Sequence, residues 1–77
     1  MELVTLKDVN VKSKVKVLGI RPESRIKRKL LDMGITKSTK ITVDGKAPMG
    51  DPMSITVRGY HLILRSNEAK DILVEVG

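Results

Sequence analysis

The chain has no cysteine, no tryptophan and no phenylalanine, and only one tyrosine and one histidine. Without cysteine there is no disulfide framework and no thiolate metal site, which fits a reducing compartment. A Ser-His-Asp arrangement needs three converging groups, and nothing around the single histidine, His61, points to one. No G-x-x-x-x-G-K-[ST] phosphate loop occurs. The scarcity of aromatic rings removes the stacking platform on which readers of single strands hold bases. No apolar run approaches the ~18 residues that cross a bilayer, and no charged segment leading into an apolar one marks a signal peptide. These absences set the expectation of a soluble cytoplasmic protein that catalyses no reaction and does not insert into a membrane.

What is abundant is positive charge. Lys and Arg number 15 against 9 acidic residues, a net charge of +6. That balance suits an anionic partner, whether nucleic acid, an acidic protein face or a lipid surface; it also simply keeps a small protein soluble. Seventy-seven residues read as one domain, 1–77. A chain of this size buries only about 60% of its unfolded surface, which leaves little room for a deep pocket.

Along the chain, Leu3 to Val11 reads as a short opening strand and a turn. From Lys12 to Val17 the pattern alternates, with Val15 and Val17 facing inward and Lys12, Lys14 and Lys16 outward. The lysine stripe could meet an anion, but lysines also blunt exposed sheet edges, and edge protection is the preferred reading. Gly19 to Ser24 is expected to break the strand. Ile26, Leu30 and Met33 then share one helical face, predicting a helix from about Glu23 to Met33 that ends at Gly34. Lys40 to Val43 alternates again, and Asp44-Gly45 has the composition of a hairpin turn. Met53 to Val57 and Tyr60 to Arg65 read as strands around an Arg58-Gly59 turn, with Leu62 and Leu64 inward and His61 and Ile63 outward. Ser66 to Ala69 reads as one helical turn capped by Ser66 or Asn67, and Leu73 to Val76 as a last strand. The sum is mainly β: about five short strands and one helix, which fits a small barrel closed on itself.

Three features could carry function. The helix concentrates positive charge: Arg25, Arg28 and Lys29 share a face, with Arg21 just ahead. This is either a docking patch or an ordinary solvated face. The stretch Ala47-Pro48-Met49-Gly50-Asp51-Pro52-Met53 packs proline, glycine and aspartate into a stiff loop. With Arg58 and Tyr60 it could present Met49 and the one aromatic ring to a partner; alternatively Met49 and Tyr60 plug the ends of the barrel. For a metal, Asp51 and His61 are the candidates. The plainer reading is that Asp51 caps its own turn and His61 is solvated, so Fe(II) or another divalent transition metal would bind weakly or be shared with a partner.

At these residues the chain resembles a known family. Arg28-Lys29-Leu30-Leu31-Asp32-Met33-Gly34-Ile35, then Ala47-Pro48-Met49-Gly50-Asp51-Pro52, then Arg58-Gly59-Tyr60-His61-Leu62-Ile63-Leu64-Arg65 with Glu68-Ala69, is similar in order and spacing to the FeoA family, ferrous iron transport protein A. The resemblance implies an SH3-like barrel of five to six strands with an inserted helix and a short C-terminal helical turn. It also implies a cytoplasmic accessory of FeoB, the membrane ferrous iron transporter with a GTP-binding domain. On that reading Arg21, Arg25, Arg28 and Lys29 form an electrostatic face, and Met49, Gly50, Asp51, Arg58 and Tyr60 a shaped contact. Two positions depart from the family's pattern: Lys12 where a turn glycine is frequent, and Lys37-Ser38 where Pro-Gly is usual. The alternatives are a nucleic-acid-binding barrel, and a free-standing transition-metal-sensing domain like those at the C-terminus of iron-dependent repressors.

Overall fold

The computed structural model describes residues 2–76. Six antiparallel strands form one sheet: β1 (Glu2–Thr5), β2 (Lys14–Ile20), β3 (Lys40–Lys46), β4 (Met53–Val57), β5 (Tyr60–Leu64) and β6 (Ile72–Val76). Their spatial order is β1-β6-β2-β3-β4-β5. A helix α1 (Lys27–Asp32) lies between β2 and β3, and a single-turn helix α2 (Ser66–Ala69) between β5 and β6. Short 3-10 turns follow β1 at Leu6–Asp8 and span Pro48–Gly50.

Alternation makes the strands. Val15 and Val17 of β2, Ile41 and Val43 of β3, and Met53, Ile55 and Val57 of β4 are buried while their neighbours are not. These side chains join Leu30 of α1, Leu64 of β5, Ile72 and Val74 of β6 in one apolar core. A strand flips every side chain if it slips one residue, so this pattern fixes the register.

The sheet differs from the closed barrel that strand counting suggested. Among the described residues β1 and β5 each pair with one neighbour only, so both remain edges. Chain direction explains this: α2 carries the chain away from β5 to the far side, where β6 enters between β1 and β2. Side chains close the gap where hydrogen bonds do not. Leu6 and Ala69 are fully buried there, and α2 packs on the Leu6 turn.

Five local expectations are corrected. The helix begins at Lys27 and not near Glu23, because the Ser24 hydroxyl donates to Asp71 at 2.8 Å and accepts from the Ile26 N–H, holding residues 22–26 as turns. β2 does not stop at Gly19; a bulge between Val17 and Gly19 re-aims it and pairing with β6 continues to Ile20. Asp44 and Gly45 are not a hairpin turn but lie inside β3, at a bulge opposite β4. The turn is made instead by the proline-rich stretch. α2 is capped neither by Ser66 nor by Asn67: Arg65 is its N-cap, and the free N–H groups of its first turn go to carboxylates, Arg65 N–H to Glu68 at 2.9 Å and Ser66 N–H to Asp51 at 3.2 Å. Finally, β2 is paired on both sides, so Lys14 and Lys16 cannot be guarding an edge. Lys12 precedes the strand, in a turn.

The turns that depart from the glycine pattern keep a glycine-like backbone. Lys12 has φ +71° and Ser38 φ +72°, and each donates a short backbone bond, Lys12 N–H to Val43 O at 2.6 Å and Ser38 N–H to Val17 O at 2.7 Å. The ladder demands the conformation, and a side chain is carried in it at a cost.

A candidate docking surface

The four cations of the helix corner do not form a free patch. The Lys29 ammonium donates to Glu68 at 2.6 Å, Arg28 pairs with Asp32 at 3.4 Å, and Arg21 reaches Glu23 at 3.9 Å while donating to the Lys70 carbonyl at 3.1 Å. Only Arg25 of the four makes no ion pair among the described residues. Glu68 is buried and takes both the Arg65 N–H and the Lys29 ammonium. The backbone bond from Arg65 and then the bond from Lys29 hold its carboxyl below the ordinary range, against the opposing pull of burial. A groove of about 570 Å³ runs along this corner between Arg21, Ser24, Arg25 and Asn67, Lys70, Asp71. The corner is thus a junction that fastens α1 to α2 and to the start of β6.

The proline-rich loop is fastened too, yet it presents an apolar side chain outward. Ala47 N–H donates to the Pro52 carbonyl at 2.9 Å, and Asp51 is held by Ser66 N–H. Between these ties the Pro48–Gly50 turn places Met49 at φ +67° with its side chain fully exposed, 102%. The other end of the hairpin carries the Arg58-Gly59 turn, where both residues have positive φ (+52° and +84°) as a two-residue turn with the right twist requires. Tyr60 follows, 73% exposed, although it shares the inward parity of Leu62 and Leu64. The Arg58 guanidinium leans on the Thr36 and Thr39 hydroxyls at 3.3 and 3.5 Å.

The register separates these two features. Met53 pairs with Leu64 and Val57 with Tyr60, so the Met49 loop and the Tyr60 turn sit at opposite ends of β4 and β5. At about 3.3 Å per residue the strand length between them is about 13 Å. Neither Met49 nor Tyr60 is buried as a barrel plug.

Asp51 and His61 are also held apart. Asp51 caps α2, whereas His61 Nδ1 meets the Thr56 hydroxyl at 3.1 Å and the Asp44 carboxylate at 3.6 Å. No group of three or more His, Cys, Asp or Glu side chains that could hold a metal comes together among the described residues.

One feature escaped the sequence, and a second was signalled there without being used. Glu68 and Asp71 tie down the helix corner, at Lys29 and at the Ser24 hydroxyl, from 39 and 47 positions away. Ile63, 64% exposed on an edge strand, marks a surface that its outward parity had signalled. The lysines of β2 line a second groove of about 470 Å³ with Lys40, Thr42 and Glu75, on the face of the sheet turned from the core. There Lys16 stands opposite Lys40 on one side and Glu75 on the other.

This is a small antiparallel β domain with a helical insert, built to present loops and an edge. The FeoA domain family matches residues 4–76, and the chain belongs to that family. A FeoA-like protein from Clostridium acetobutylicum is 58% identical, with a TM-score of 0.91 over 99% of this chain and 88% of that one. Stenotrophomonas maltophilia FeoA, described as a procaryotic SH3 domain protein and solved with zinc, is 25% identical, with a TM-score of 0.82 over 94% of this chain and 89% of its own. A manganese-dependent transcriptional repressor shares the fold alone, at 17% identity, a TM-score of 0.90, and 100% and 38% coverage. No curated protein matches the chain.

Proposed function

We propose that this protein is a docking accessory of ferrous iron uptake, which binds the cytoplasmic GTP-binding part of FeoB and modulates Fe(II) transport without performing a reaction itself. The observation that carries the reading is Met49: a fully exposed apolar side chain on a left-handed residue of a loop tied at both ends. The backbone of the tied loop is already ordered, so a partner that meets it has only the side chain left to fix. Tyr60 supplies a second exposed anchor, of a type enriched where binding energy concentrates. Membership in the FeoA family supports a role in ferrous iron transport, and with it the choice of FeoB as the partner to test.

The test is binding of the purified FeoB cytoplasmic part from the same organism. Met49→Ala and Tyr60→Ala should each weaken binding about tenfold, roughly 1.4 kcal/mol. Arg25→Glu should weaken it at low salt and less at high salt, whereas Arg28→Glu, whose native charge is already paired with Asp32, should do less. Absence of binding by the unaltered protein would overturn the proposal.

A further inference from the structure

β5 is an edge strand, and the backbone groups of two of its five residues have no partner among the described residues. The Val57–Tyr60 pair brackets a two-residue turn, so these two residues exchange both ladder bonds; alternation extends that to Ile55–Leu62 and Met53–Leu64. The N–H and C=O groups of His61 and Ile63 therefore point away from β4, and no turn or loop among the described residues takes them. A row of open donors and acceptors at strand spacing is matched by one kind of ligand, another extended strand.

Natural edges are usually guarded by lysine, proline, a bulge or a covering segment. Tyr60–Leu64 contains no lysine and no proline, and its pairing with β4 is free of bulges. Ile63 stands 64% exposed beside the open groups.

We infer that the free edge of β5 accepts an extended segment of a partner protein, apolar at alternate positions and acidic at its ends, as an added strand of the sheet. Three observations select this occupant. A strand along β5 runs from the exposed Tyr60 turn to the Asp51–Ser66 contact, where the proline-rich loop is tied to the start of α2. Arg58 and Arg65 bracket the strand in sequence and neither makes an ion pair among the described residues; Arg65 is exposed, and Arg58 rests one nitrogen on the Thr36 and Thr39 hydroxyls, so the charge at both ends suits acidic groups. The same arginines oppose a second copy: antiparallel self-pairing about Leu62 brings Arg58 of each copy beside Arg65 of the other.

This deepens the docking proposal by naming how the partner is held, and it rests on that proposal for the partner's identity. The probe is a short synthetic peptide of alternating valine and threonine with paired glutamates at each end, titrated into the isotope-labelled full chain. The His61 and Ile63 amides should shift and gain protection from hydrogen exchange, and a lysine-ended version should bind at least tenfold more weakly at low salt. Ile63→Pro removes an outward donor that β4 does not use, and should abolish binding. Ile63→Lys, at an exposed position that leaves folding intact, should weaken it at least tenfold.

Peptide shifts confined to the Lys14, Lys16 and Lys40 face would overturn the inference. So would unchanged binding by Ile63→Lys, or protection of the His61 and Ile63 amides in the free protein as its concentration rises. If the FeoB part binds Ile63→Lys as well as the unaltered chain, the edge is refuted and docking stands. If the peptide binds at β5 while the FeoB part does not, docking on FeoB is refuted and the edge stands.

Discussion

The helix corner and the β4–β5 hairpin use the same kinds of side chain to opposite ends. At the corner, side-chain donors bond back onto the protein: Lys29 to Glu68, Arg21 to the Lys70 carbonyl, and the Ser24 hydroxyl to Asp71. At the hairpin, Met49, Tyr60 and Ile63 face solvent, and Arg58 finds only threonine hydroxyls. Density of charge in the sequence therefore marked the part of the molecule that holds itself together. The hairpin, which the docking proposal assigns to a partner, stands out instead by the apolar side chains it leaves uncovered.

The most severe way to break this comparison is to remove Glu68. Glu68→Ala deprives the Arg65 N–H of its acceptor in a partly buried bond and frees Lys29, and should cost about 1–2 kcal/mol in urea unfolding. Lys29→Ala should cost less, about 0.5–1 kcal/mol, because the ammonium is largely exposed. Acid sharpens the point. The folded state holds the Glu68 carboxyl below its ordinary value, so its contribution is complete above the carboxylate range of the unfolded chain. It disappears as pH falls through the lowered folded-state value. The stability difference between the native chain and Glu68→Gln should therefore shrink on acidification, measured as the gap between urea midpoints. A gap that is constant with pH would show that the corner is held without the carboxylate's charge.

How much of this was legible beforehand follows from the range of each interaction. Alternation over β2, β3 and β4 reads directly as buried and exposed faces, because it depends on residues two apart. The helix terminus at Gly34, φ +91°, reads equally well, since one residue sets it. The helix start does not: Ser24 is held by Asp71, which no local pattern connects to it. Asp44-Gly45 misleads for the same reason, as the pairing of β3 with β4 turns a favourable hairpin dipeptide into a bulge. Side-chain type groups Met49 with Tyr60, and the strand between them is what places them apart.

A smaller effect is expected at the two turns that carry a side chain where glycine fits. Lys12→Gly and Ser38→Gly keep the φ near +70° and remove the steric cost of a Cβ there, offset in part by the entropy of a more flexible unfolded chain. Each should raise stability by about 0.5–1 kcal/mol, read as a higher urea midpoint at unchanged slope. Partner binding should not change in Lys12→Gly; Ser38 lies between the two threonines that hold Arg58, so Ser38→Gly is read for stability alone.

Met49→Gly gives the smallest change in stability and the clearest separation of the two regions. Its backbone, at φ +67° and ψ +12°, is left-handed like those of Lys12 and Ser38, but its side chain touches no core and lies wholly in solvent. Glycine relieves the same strain, so stability should rise by at most about 0.5 kcal/mol, since a loop tied by Ala47 and Asp51 gives up little on being loosened. Binding should move in the other direction, falling about tenfold as the exposed apolar group is lost. A side chain kept where it destabilises the fold, and whose removal harms only association, belongs to the contact surface. If Met49→Gly instead lowers stability as Glu68→Ala does, the loop is part of the framework, and the distinction between a self-binding corner and a partner-binding hairpin fails at its most exposed residue.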